Sequence, residues 1–307
     1  MSTFHLCYTS HDEVMFRNEQ DMNTAFNCLC SALCKTDSSC LAYSNMSDHH
    51  HGCYSTKNPG ELIQIVRQSY TKLFNNKYFR RGPLGENGLF LQEIVGLKHF
   101  LAAISYTLKN APHHGVVASP FEYPYSSVNA YFRKELGKNR DDEMLLTTDQ
   151  IKAVLPRRAS FKPTWKMNRN GVFLPETVID TDTVENAFGT VQAFNFYLGR
   201  KSGEDWIKEQ ADENNSVPFS IESMEVPVLI GKHETVADML RNEKARFTTA
   251  PISDLELCKV IDEVFVPRYE RKSVYHLNSQ ERTNIGNTLY KEYHAGVQQI
   301  KRCLVMK

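Results

Sequence analysis

Three histidines stand in a row, His49, His50 and His51. In an extended segment side chains alternate, so His49 and His51 face one side and His50 the other. Imidazoles at i and i+2 converge on one metal ion, whereas adjacent ones cannot; the alternative is a polar edge or loop. Further on, Tyr106 and Asn110 lie four apart in a stretch of helical period. On a helix they share a face roughly 6 Å, one turn, apart. Leu97, Leu101, Ile104 and Leu108 form a different face, so Tyr106 is not placed as an ordinary core tyrosine of that helix. Cys28, Cys30, Cys34 and Cys40 suggest zinc at first sight, but C-x-C-x3-C-x5-C is not a paired C-x-x-C pattern, and Cys30 falls on an apolar helical stripe. There is no Gly-rich phosphate loop.

The elements that must position these residues alternate over the first 135. Strands are expected at 3–8, 14–16, 40–46 and 52–56 around the His-rich centre. A helix follows Asn18, with Met22, Phe26, Leu29, Cys30 and Leu33 at its period and Glu19 in an acidic first turn. A second begins near Asn58-Pro59, where Pro suits the first helical position, with a stripe of Leu62, Ile65, Val66, Ser69 and Leu73. Gly82, Pro83, Gly85 and Gly88 mark a loop, and a third helix spans 97–109 until Pro112 and Gly115 stop it. This order predicts an α+β sandwich with an antiparallel sheet. Beyond Leu136 the pattern is mainly helical, with helices expected at 184–198, 235–243, 254–264 and 279–293. A final turn and helix at 297–305 could complete a helix-turn-helix.

The 307 residues amount to about two domains at roughly 150 each. With 41% hydrophobic and 23% charged residues, the chain is neither fibrous nor wholly disordered. No apolar run approaches about 18 residues, so no membrane span is expected. The first residues lack a basic start and an apolar run, which predicts a cytoplasmic protein with reduced cysteines. Equal totals of 36 basic and 36 acidic residues hide an uneven distribution. Residues 150–170 hold Lys152, Arg157, Arg158, Lys162, Lys166 and Arg169 and no acid, with Phe161 and Trp165 interleaved. Such a stretch suits phosphate contact and base stacking, or else is a solvated loop beside the acidic 171–226.

S-N-M-S-D-H-H-H at 44–51 resembles the Met-Pro-Asn-His-hydrophobic-His strand of the single-tyrosine HUH transposases. Y-T-L-K-N-A-P-H-H-G-V-V at 106–117 resembles their nucleophile helix, Tyr-x-x-x-Asn-Pro followed by Gly. P-F-E-Y-P-Y-S-S at 120–127 is similar to the Asp-Trp-Pro-Trp-Ser-Ser-Tyr segment that follows. F-H-L-C-Y at 4–8 and R-R-G-P-L-G at 80–85 fall where the family has its first strand and basic loop. Order and spacing agree over residues 1–132, and the REP-associated tyrosine transposases and their relatives with helical C-terminal extensions look nearest. The chain departs in having Ser47 and Asp48 for Pro and Asn, His50 for a hydrophobic residue, Ala111 for Pro and Tyr125 for Trp.

The resemblance implies an antiparallel-sheet HUH nuclease domain, a ferredoxin-like or RRM-like sandwich, followed by a mainly helical extension. The expected divisions are 1–135, the nuclease; 136–246, a basic then acidic accessory region; and 247–307, a helical domain. It implies Tyr106 as nucleophile and His49, His51 and Asn110 as ligands of Mg²⁺ or Mn²⁺. Arg80, Arg81, His113, His114, Arg157, Arg158, Lys162, Trp165 and Lys166 are the expected DNA contacts. The implied reaction is transesterification of single-stranded DNA, beside a hairpin or palindrome, through a 5′-phosphotyrosine. The implied partners are single-stranded or hairpin DNA, with a homodimer allowed. The alternatives are a relaxase or replication-initiator nickase of the same chemistry, and a non-catalytic DNA-binding regulator derived from a transposase.

Overall fold

The computed structural model describes residues 1–10, 13–85, 89–138, 144–200 and 252–306. Strand β1 (Ser2–Thr9) is followed by α1 (Glu19–Lys35), β2 (Ser39–Asn45), β3 (His49–Thr56), α2 (Pro59–Tyr78), β4 (Leu89–Ile94) and α3 (Leu97–Leu108). The strands form one antiparallel sheet in the order β2-β3-β1-β4, so the protein is α+β as expected. The β-α-β-β-α-β order is the split-βαβ arrangement. It puts β1 and β3, the histidine-bearing strands, side by side in the middle of the sheet.

Local chemistry sets the ends of these elements. Asn18 caps α1 by accepting from the Asp21 amide at 3.1 Å, and Asn58 does the same for α2 through Glu61 at 3.1 Å. The buried stripe of α2 is Leu62, Val66, Tyr70, Phe74 and Tyr78 with Ile63, not the expected line through Ile65, Ser69 and Leu73. The three aromatics extend the i+4 row; Tyr70 and Tyr78 can be buried because their hydroxyls donate to Met15 O (2.6 Å) and Asp21 Oδ2 (2.8 Å). The expected strand at 14–16 is a buried non-strand segment. Its Met15 and Phe16 amides both donate to Ser47 O, at 2.8 and 2.9 Å, and leave no ladder to join.

Strand β4 is an addition to the expected elements. Its Leu89 and Leu91 are exposed at the sheet edge, against the usual apolar-inward pattern. Helices α1 and α2 cover one face of the sheet, where Phe26 stacks on Tyr43 at 4.7 Å. Helix α3 covers the other face, over β2, β3 and β4.

A short helical turn α4 (Asn110–His113) extends α3. After α5 (Thr148–Val154) and α6 (Pro175–Val178), the expected helix at 184–198 is two: α7 (Thr181–Phe188) and α8 (Val191–Gly199). Gly189, at φ 75°, breaks it, and Thr190 caps the second piece. Both pack on α3, and one hydrophobic core runs from Leu6 to Leu198. Residues 252–306 build a second core from α9 (Asp254–Val260), which continues through a π-helical turn Ile261–Phe265, and from α10 (Ser279–Glu292) and α11 (Val297–Leu304). Val14 joins that core. Helix α11, the expected second helix of a helix-turn-helix, turns Arg302 inward onto Asp254. The helix expected at 235–243 lies outside the described residues.

Candidate active site

Antiparallel register brings the site together. Cys7 lies opposite His51 and Thr9 opposite His49 across β1–β3, and Ser44 lies opposite His51 across β2–β3. Alternation then sends His5, Cys7, His49 and His51 toward α3, and sends Tyr8, His50 and Tyr54 toward α1 and α2. The α3 side supplies Tyr106. Helix α3 stops at Lys109 because Pro112, with no N–H, cannot continue the ladder onto the Leu108 carbonyl. Asn110 therefore starts the next turn, which Gly115 ends at φ 68°.

All four residues singled out for catalysis and metal binding meet here. The rings of His49 and His51 are 5.1 Å apart, and the His51 ring is 5.4 Å from that of Tyr106. Asn110 Nδ2 lies 2.9 Å from His49 Nε2, and His49 Nδ1 lies 2.8 Å from Asp48 Oδ1. An amide NH₂ only donates, so Nε2 accepts and Nδ1–H donates to Asp48. His51 makes only loose contacts, Nδ1 at 3.3 Å from His5 Nε2 and Nε2 at 3.6 Å from Cys7 Sγ. His49, His51 and Asn110 are each about 1% exposed, and Tyr106 is 9% exposed. Burial first, then the neighbouring histidines, pushes His51 well below the usual imidazole range; His5 is lowered in the same way.

Polar groups are left over at this face. Asn110 Oδ1 and the hydroxyl oxygen of Ser44, the residue opposite His51, are buried with no hydrogen-bond partner. Orphaned buried polar atoms are rare in folded proteins, and these two flank the His49–His51 pair. Two neutral imidazoles and an amide oxygen fit a weakly held divalent ion with positions left for water and phosphate. Neutral histidine is the ligating form, and mixed N and O donors suit Mn²⁺ better than Mg²⁺. Among the described residues no group of three or more His, Cys, Asp or Glu side chains is arranged to hold a metal ion. The thiols of Cys30 and Cys40 are raised well above their usual range by burial, and that of Cys28 to about 12, so none is a ready thiolate.

The expected DNA contacts divide into three groups. His114 is half-buried with its ring 5.0 Å from that of His49, and His113 lies beside it at 5.2 Å. Arg81, Arg157, Arg158, Lys162 and Lys166 are exposed. Arg80 is already engaged, 2.5 Å from Glu13 Oε1, donating to the Pro83 carbonyl at 2.7 Å and lying over the Tyr275 ring. Trp165 is buried against Phe173, so it is not presented for base stacking. His5, whose ring is 6.2 Å from that of Tyr106, was not among the residues singled out. Its signal was present: His5 and Cys7 share the i, i+2 parity of the His49–His51 pair. Two cavities of about 480 and 660 Å³ lie elsewhere, one between α1 and the 124–138 segment and the other along α2.

No family model matches the chain, and no curated protein matches it. Among solved structures it is similar to a REP-associated tyrosine transposase bound to a REP hairpin, with a TM-score of 0.38 and 10% identity. The similarity covers 53% of this chain and 87% of that one. Among the described residues no helix is long and apolar enough to cross a membrane.

Proposed function

We propose that the chain is a transposase-type, metal-dependent single-stranded DNA endonuclease and strand transferase, with Tyr106 as nucleophile. The observation that carries this reading is the meeting of Tyr106 with the His49–His51 pair beside the orphaned Asn110 Oδ1. A phenol, with an ordinary pKa near 10, is a weak nucleophile at neutral pH, so it must be held at the phosphate and the phosphate's charge relieved. His49, His51 and Asn110 are the residues that would hold a divalent ion. When bound, that ion polarises a nonbridging oxygen and stabilises charge in the transition state. Tyr106 Oη forms a bond to phosphorus while the bond to the 3′ oxygen breaks; the phenol loses a proton and the departing oxygen gains one. The 5′-phosphotyrosine keeps the energy of a phosphodiester, so rejoining to another 3′-hydroxyl needs no ATP.

Tyr106→Phe removes one oxygen and little volume, so folding and DNA binding should survive it and cleavage should not. With the native chain and a 3′-labelled strand, label should stay on the protein through denaturing electrophoresis. With a 5′-labelled strand, label should leave on the fragment ending in a 3′-hydroxyl. The adduct should map to the tryptic peptide 99–109. An adduct on another tyrosine, or full cleavage by the Phe variant, would overturn the assignment. Transfer of the cut strand to a second DNA end separates a transposase from a nickase.

A further inference from the structure

The bend that leads into His49 is held by residues more than 200 positions away. Asp254, in the first turn of α9, accepts from Ser47 Oγ at 2.7 Å. Arg302 of α11 grips both Asp254 oxygens, Nε to Oδ2 at 2.9 Å and Nη2 to Oδ1 at 3.0 Å. The same guanidinium lies 3.7 Å from Asp48 Oδ2, while Asp48 Oδ1 faces His49 Nδ1 at 2.8 Å. Each carboxylate oxygen of Asp48 thus has its own task, one toward the clamp and one toward the imidazole. A second tie keeps the clamp in place. The fully buried Arg17 reaches both Asp262 oxygens at 2.8 Å and the Cys303 carbonyl at 2.9 Å.

We infer that residues 252–306 are a positioning clamp for His49. Arg302 and Asp254 hold the Ser47–Asp48 bend so that Asp48 accepts the hydrogen bond from His49 Nδ1–H and Nε2 keeps its lone pair toward Asn110. A ring nitrogen is fixed by the hydrogen bond the other one makes, and such outer partners govern how well a histidine ligates. Asp48 and Arg302 are therefore positioning residues, and the C-terminal helices complete the site instead of forming a separate module. The inference rests on the proposed function only in taking Nε2 as the atom offered to a cation.

The test uses the full chain with ¹⁵N-labelled histidine, first without metal and then with Mn²⁺ alone. Long-range ¹H–¹⁵N spectra, assigned by the signals lost in His49→Gln, should show His49 as a single Nδ1–H tautomer. In Asp48→Asn and Arg302→Gln it should become a mixture. Mn²⁺ affinity, read from the paramagnetic resonance of the free ion, should fall about 10–100-fold in Asp48→Asn, the usual cost of losing an outer partner. It should fall less in Arg302→Gln and recover in Arg302→Lys. Arg271→Gln, which removes an exposed pair with Glu281 in the same segment, should change neither reading. Should Arg302→Gln loosen the helices, Ser47→Ala decides the matter, because it cuts the bend's own tie to Asp254 and leaves Arg302 and the helices in place.

An unchanged tautomer and affinity in Asp48→Asn and Arg302→Gln would overturn the clamp, even if the native chain binds Mn²⁺ and cleaves DNA. Equal losses in Arg271→Gln would overturn it too, as general loosening. A native chain with the fixed tautomer, lost in both variants, but with no Mn²⁺ binding and no cleavage would keep the clamp and sink the nuclease reading.

Discussion

On one side of β3, His50 is a finished piece of core: Nδ1 lies 2.5 Å from Asn45 Oδ1, Nε2 lies 2.6 Å from the Tyr54 hydroxyl, and the ring stacks on Tyr8 at 4.9 Å. On the other side, His51 has only long contacts and a neighbouring tyrosine ring, while His49 is held at short range by Asp48 and by Asn110, whose amide oxygen has no partner. The three side chains share a type, a strand and almost complete burial. What separates His50 from His51 is whether the hydrogen-bonding capacity is used up, and what separates it from His49 is that a partner of His49 is itself unsatisfied. His50, matched at short range on both nitrogens by groups of the core, is structural. His51, left with weak contacts, and Asn110 Oδ1, left with none, hold capacity in reserve for a ligand, because leaving it unmet costs stability.

The largest expected effect breaks this comparison in its strongest form. Alanine at His49 or His51 should lower divalent-dependent cleavage of single-stranded oligonucleotides by about 10²-fold or more, the scale of losing transition-state electrostatics. Single-strand affinity should remain. His50→Leu should cleave at nearly native rate but unfold more easily, by about 1–3 kcal/mol for each stranded partner, Asn45 and Tyr54. Cleavage rates beside urea midpoints check both halves. A dead His50→Leu with an active His51→Ala would mean that the two faces are exchanged.

A smaller effect comes from Gly52, where β3 has no side chain because the Tyr54 ring folds back over that position to reach His50. A Cβ there would overlap the ring. Gly52→Ala should thus displace Tyr54 and cost about 1–3 kcal/mol by overpacking. Cleavage per folded molecule should stay the same, since Gly52 lies on the His50 side. Loss of cleavage at full stability would show that the faces communicate.

How much of this was legible in the sequence depends on how local each relation is. His49 with His51, and Tyr106 with Asn110, follow from the periods of a strand and a helix, which need only a few neighbouring residues. Membership of His5 and Cys7 depends on the β1–β3 register, and the roles of Asp48, Asp254 and Arg302 depend on a contact across more than 200 residues. Neither is visible in any single stretch. Trp165 shows the opposite hazard. An aromatic among basic residues reads as a stacking platform, yet the same indole closes the core on Phe173 while Lys162 covers its ring. Strand β4 was hidden because its outward residues are Leu89 and Leu91, which blurs the alternation that marks a strand.

Acid offers the finest comparison of the two faces. Burial, then the charge of His49, lowers His50 in the folded chain from the ordinary 6.5 to about 3. In the unfolded chain it titrates near 6.5. Between those values the unfolded state binds a proton that the folded state refuses, so stability is full above about pH 6.5 and falls as the pH drops. One such proton is worth about 1.4 kcal/mol per pH unit. Leucine at 50 has no proton to take up, so the destabilisation caused by His50→Leu should shrink by about 2 kcal/mol between pH 6.5 and 5. His5 and His51, lowered on the other face chiefly by burial and to a lesser extent by the charge of His50, keep most of their acid sensitivity in both chains, so the difference reports mainly on His50. Urea midpoints of the two chains at matched pH give the measurement. A penalty independent of pH over that range would mean that His50 protonates as readily folded as unfolded. Its burial between Tyr8, Asn45 and Tyr54 would then not keep it neutral, and His50 would no longer count as a finished piece of core.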